Sequence, residues 1–67
     1  MMFEPVGDDE VELLIERLGD ADPEVRRVAL IELANTAQPE AIPPIAGAIG
    51  DPDAGGRLQA AISLGEF

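Results

Sequence analysis

The stretch Gly19–Leu33, GDADPEVRRVALIEL, decides the architecture, because its key residues return 31 positions later in Gly50–Leu64, GDPDAGGRLQAAISL. Gly19, Asp20, Asp22, Arg26, Ala29, Ile31 and Leu33 fall on Gly50, Asp51, Asp53, Arg57, Ala60, Ile62 and Leu64, all identical. Self-similarity at this period marks a supersecondary unit that buries its apolar face by stacking on a neighbour. Upstream of each copy, Val11, Leu14, Ile15 and Leu18 fall on Ile42, Ile45, Ala46 and Ile49. Both sets follow the i, i+3, i+4, i+7 spacing of an amphipathic helix. Each unit therefore reads as two helices joined by a short turn.

Local punctuation places four helices. Asp8, Asp9 and Glu10 suit the start of a first helix, from about Asp8 to Leu18, with Gly19 as its stop. Carboxylates there cap free N–H groups and suit the helix dipole. Asp22-Pro23-Glu24 opens a second helix toward Asn35, with proline at the first position, where its missing N–H costs nothing. A third is expected from about Ala41 to Ile49, with Pro43 and Pro44 confined to its first turn and Pro39-Glu40 as its approach. A fourth runs from about Asp53 toward the C-terminus and is expected to fray or bend. Gly55 and Gly56 occupy its first turn, each costing up to about 1 kcal/mol relative to alanine. The fold class is all-α: two antiparallel helical hairpins stacked as a short α-solenoid. Residues 1–7 read as a tail, 8–36 as the first hairpin and 37–67 as the second.

The string from Asp20 through Gly65 resembles the HEAT-like repeat of the phycobilisome-lyase type. The motif residues of its second helix are Asp22, Pro23, Val25, Arg26, Ala29 and Leu33, and a Pro-Glu-Ala-Ile-Pro stretch at Pro39–Pro43 leads into the next helix. The second copy departs from the pattern: Ala54 stands for the proline, Gly56 for the valine, and Pro43 and Pro44 for Glu12 and Leu13. The resemblance implies a stacked helical fold. For function it implies scaffolds, assembly factors and bilin-lyase subunits. Solenoids generally need three or more repeats with polar caps, so two copies are expected to leave an apolar end that belongs to a longer array or docks on a partner.

Composition narrows the chemistry. There is no cysteine, histidine, lysine, tyrosine or tryptophan among the 67 residues. Disulfides, thiolate nucleophiles, the commonest zinc ligand and the commonest general base are thus absent. A chain this short buries only about 60% of its unfolded surface, so extra stability is expected from a partner or from oligomerisation. Fourteen acidic residues against four arginines give a net charge of −10, which repels phosphate backbones and anionic lipid and favours a partner basic at its contact surface. No apolar run approaches the ~20 residues needed to span a bilayer. The N-terminus, MMFEPVG, lacks the basic start and apolar core of a signal peptide. A cytoplasmic location is expected, and arginine in place of lysine, with abundant Ala, Gly and Pro, suggests a GC-rich bacterial genome.

No residue set reads as catalytic, cofactor-binding or metal-binding. Asp20-Ala21-Asp22 and Asp51-Pro52-Asp53 lack the spacing and bidentate glutamate of a calcium loop. Gly55-Gly56 lacks the lysine and preceding strand of a phosphate loop. Arg26 and Arg57 are instead expected to hold their interhelix turns through Asp20, Asp22, Asp51 and Asp53, since a planar guanidinium pairs well with carboxylates and carbonyls. Leu58, Ile62 and Phe67, with Phe3 at the other end, are the candidate partner contacts; Phe3 and Val6 also suit a hydrophobic staple on the first helix. The resulting expectation is a non-catalytic protein-interaction module: an acidic scaffold, small subunit or assembly factor on a larger complex. A homo-oligomer in which open ends stack is compatible with it. The alternative, implied by the resemblance, is a helper for attachment or delivery of a tetrapyrrole or metal centre, although the chain itself has no histidine or cysteine to ligate one.

Overall fold

The computed structural model describes the backbone from Val6 to Phe67 and the side chains from Glu10 onward. Phe3, its staple with Val6, and capping by Asp8 and Asp9 lie outside the described residues. Four helices follow: α1 Val6–Arg17, α2 Pro23–Thr36, α3 Ile42–Gly47 and α4 Ala54–Leu64. The fold is all-α. Helix α1 starts two residues before the expected Asp8.

Helix α2 begins as its sequence dictates. The Asp22 carboxylate accepts from the Glu24 N–H at 2.9 Å, and Pro23 takes the first helical position. Its other end is less legible. Ala37 adopts the left-handed conformation at φ 55° and donates its N–H to Ala34 O. That conformation is usually a glycine's, yet among the described residues no glycine has positive φ. Gly19 and Gly50 therefore follow their helices without the left-handed turn that a glycine stop normally supplies.

Helix α3 corrects the sequence expectation. Instead of one regular helix from Ala41 to Ile49, it is a six-residue α-helix flanked by 3₁₀ turns, Pro39–Ala41 and Ala48–Gly50. Proline has no N–H and its ring crowds the preceding turn. Two successive prolines at 43 and 44 thus set where regular helix starts, at Ile42, and beyond Gly47 the chain tightens into the second 3₁₀ turn. Helix α4 is regular from Ala54 despite its two glycines, because Asp53 caps it: its carboxylate accepts from the Gly56 N–H at 3.0 Å.

Helices α1 and α2 pack together as one hairpin, α3 and α4 as another, and the hairpins join along α2 and α4. Val11, Leu14, Leu30, Leu33, Ala41, Ile45 and Ala60 make one continuous core, edged by half-buried Leu18, Ala48 and Leu64. The stripe of α1 is buried at Val11 and Leu14. The matching stripe of the second unit is buried only at Ile45, while Ile42 and Ile49 are exposed.

Candidate functional site: the joint between the hairpins and the α4 surface

The two interhelix turns share one internal wiring. In the first, Asp20 Oδ1 accepts from the Asp22 N–H at 2.8 Å; in the second, Asp51 Oδ1 accepts from the Asp53 N–H at 2.7 Å. Arg26 Nη1 donates to Asp20 O at 2.6 Å, and Arg57 Nη1 donates to Asp51 O at 2.9 Å and to Pro52 O at 3.2 Å. Each arginine reaches back six residues to the carbonyl that precedes its own helix. This rigidifies the turn and gives its carbonyl a hydrogen-bond donor.

Arg26 does more. Its Nε donates to Asp51 Oδ2 at 2.9 Å and its Nη2 to Asp51 Oδ1 at 3.1 Å. The carboxylate partner of Arg26 is thus in the neighbouring hairpin's turn, whereas the sequence pointed only to each arginine's own turn. The pair is bidentate and shielded, with side chains 13% and 7% exposed. It resembles an interior contact more than a loose surface ion pair. The Arg26 guanidinium, foremost by its hydrogen bonds and then with the Asp53 N–H, holds the Asp51 carboxyl below its ordinary range. Asp51 in turn raises the Arg26 pKa. A second ion pair links Arg27 to Glu24 on α2; it lowers the Glu24 pKa, chiefly by hydrogen bonding. Asp22 and Asp53 serve as helix caps.

Two glycines complete the joint. A Cβ on Gly56 would lie 2.8 Å from Asp51 Cγ, and one on Gly55 would lie 2.9 Å from Arg27 Nη1. The Asp51 carboxylate can lie over the start of α4 because Gly56 has no side chain. Sequence reasoning took these glycines as degeneration of the repeat, and their packing role was missed. Ser63 was also missed. It is buried, its Oγ donating to Leu30 O across the hairpin interface at 3.3 Å and accepting from Gln59 Nε2 at 3.2 Å. A signal was present: at the matching position of the first unit stands Glu32, which is exposed, and a charged-to-small exchange marks a face that becomes buried.

Of the candidate partner contacts, Leu58 is 64% exposed, Ile62 50% and Phe67 45%. Leu58 and Ile62 are four residues apart on α4, so they share one face. The joint and this face are separate: one is a polar clamp, the other an unpartnered apolar stripe. Among the described residues no three Asp or Glu side chains group closely enough to hold a metal ion, and no helix is long and apolar enough to cross a membrane.

The wiring of turn to helix repeats at 31 residues, and the family model for HEAT repeats matches residues 11–67. The chain belongs to the HEAT-repeat family. HEAT repeats are generally protein-interaction scaffolds, and the family is typically non-catalytic. The match is to HEAT repeats as a class. No curated protein and no solved structure shows significant similarity to this chain.

Proposed function

We propose that this HEAT-repeat chain is a non-catalytic binding module that docks on a larger protein complex as a small subunit or assembly factor. The observation that carries the reading is the exposed stripe of Leu58 and Ile62 on α4 in a chain of net charge −10. Large apolar side chains paired on one helical face are unfavourable in water unless a partner covers them. The net acidity of the chain favours a partner that carries basic side chains around an apolar contact. The cofactor-helper reading rests on the phycobilisome-lyase-type motif alone, and no arrangement of the described side chains favours it.

The test is crosslinking and affinity capture from the native host, with the wild-type chain beside Leu58→Glu/Ile62→Glu. Both positions are exposed, so the variant should keep its helicity and melt within about 0.5 kcal/mol of wild type. A defined partner, captured by wild type, released by added salt and lost with the variant, is the expected result. Equal recovery by both proteins would reject the α4 face as the contact.

A further inference from the structure

The 31-residue wiring leaves complementary halves of one clamp at opposite ends of the stack. Arg26 spends Nη1 on its own turn and Nε and Nη2 on the next turn's Asp51. Arg57 spends Nη1 on its own turn in the same way, but its Nε and Nη2 have no acceptor among the described residues. Asp20 is the counterpart of Asp51. It makes the same contact to the N–H two residues on, and forms no ion pair among the described residues. Arg57 and Asp20 are both exposed.

We infer that the 67-residue chain associates head to tail, the Arg57 guanidinium of one copy taking the Asp20 carboxylate of the next as Arg26 takes Asp51 within the chain. The apolar surfaces agree with this step. Leu30 and Leu33 are buried against the second hairpin; their counterparts Ala61 and Leu64 are exposed and half-buried. On the receiving side, Val28 is exposed and Val25 half-buried, at the positions that half-buried Gln59 and buried Gly56 hold in the second unit. Two differences make the intermolecular joint weaker than the internal one. Val25 replaces Gly56 beneath the carboxylate, so Asp20 meets the arginine from a position shifted off the helix start. Glu32 replaces Ser63 and brings a carboxylate to a face where the internal joint has a hydroxyl donor. Repulsion between copies is confined to charges near the joint at physiological ionic strength, where the Debye length is about 8 Å.

A contact of this kind is heterologous: it uses a different patch on each copy and does not close on itself. Sedimentation equilibrium over micromolar to millimolar concentrations tests it. The wild-type average mass should climb past that of a dimer without a plateau. Arg57→Gln and Asp20→Asn should each remain monomeric, with helicity verified by circular dichroism. Asparagine keeps the oxygen that accepts from the Asp22 N–H. Mixed in equal amounts, the two variants should recover association and stop at the dimer, because the Asp20→Asn chain still offers Arg57, the Arg57→Gln chain still offers Asp20, and neither complex can grow. A wild type that is monomeric throughout would overturn the inference and leave Arg57 to a partner of different sequence. A mass plateau at two copies, or variants that associate like wild type, would overturn it equally.

Discussion

The Asp20–Asp22 turn and the Asp51–Asp53 turn carry the same residues at the same spacing, yet only the second is a joint. Both cap the helix that follows, and both are held by an arginine six residues on. The difference lies in what surrounds the first aspartate. Asp51 has Arg26 of the preceding hairpin on one side and the bare backbone of Gly56 on the other. Asp20 has no hairpin before it among the described residues and has Val25 at the glycine's position. Identical motif residues thus do local work in one place and long-range work in the other. The non-identical neighbours decide which.

The largest expected effect separates the two units through their cores. Leu33 is fully buried and its counterpart Leu64 only half-buried. Leu33→Ala should cost about 2–5 kcal/mol and Leu64→Ala clearly less, as read by urea unfolding. Equal losses would mean that the two units are packed alike. Next comes Gly56→Val, which installs the first unit's residue in the second. The added Cβ meets Asp51 Cγ at 2.8 Å, and overpacking of this kind costs about 1–3 kcal/mol. On propensity alone valine should improve the helix, so the sign of the change discriminates between a glycine that makes room and one that merely weakens α4.

A smaller effect is expected at the arginines. Arg26→Gln should lower the melting temperature more than Arg57→Gln, because it removes the link between hairpins as well as the hold on a turn. The smallest is a pH effect. Folded Asp51 has a pKa below its ordinary value of 3.8, so the unfolded chain binds this proton at the higher pH. Stability from this group is therefore fully present above about pH 4 and is lost as pH falls through the folded value. Asp51→Asn should remove that part of the acid limb of the stability profile.

Much of this comparison was legible in the sequence. The period, the apolar spacing and the Asp-Pro helix start gave four helices and their pairing, because those signals are local and strong. The hairpin joint was not legible, since Arg26 and Asp51 lie 25 residues apart and nothing in either motif tells whether an arginine serves its own turn, the next one or both. Gly56 was misread for a related reason: helix propensity treats a glycine by itself, while its value here depends on a carboxylate that folding places above it. The start of α3 was legible from Pro43 and Pro44, whereas its early end was not, because no residue of Ala48–Gly50 marks the change to a 3₁₀ turn ahead of Gly50. Leu58 and Ile62 are exposed, and their i, i+4 spacing alone does not say which side of α4 a neighbouring hairpin covers.

The most direct measurement is on the arginine side chains themselves. In a ¹⁵N–¹H correlation spectrum of the Asp20→Asn chain, which cannot associate head to tail, the Nε–H of Arg26, donated to a shielded carboxylate, should exchange with water far more slowly than the Nε–H of Arg57. Its resonance should shift as Asp51 is titrated with acid and lose its protection in Asp51→Asn. Equal, rapid exchange at both arginines, indifferent to Asp51, would contradict the account that one turn of this HEAT-repeat chain is a joint and the other is open.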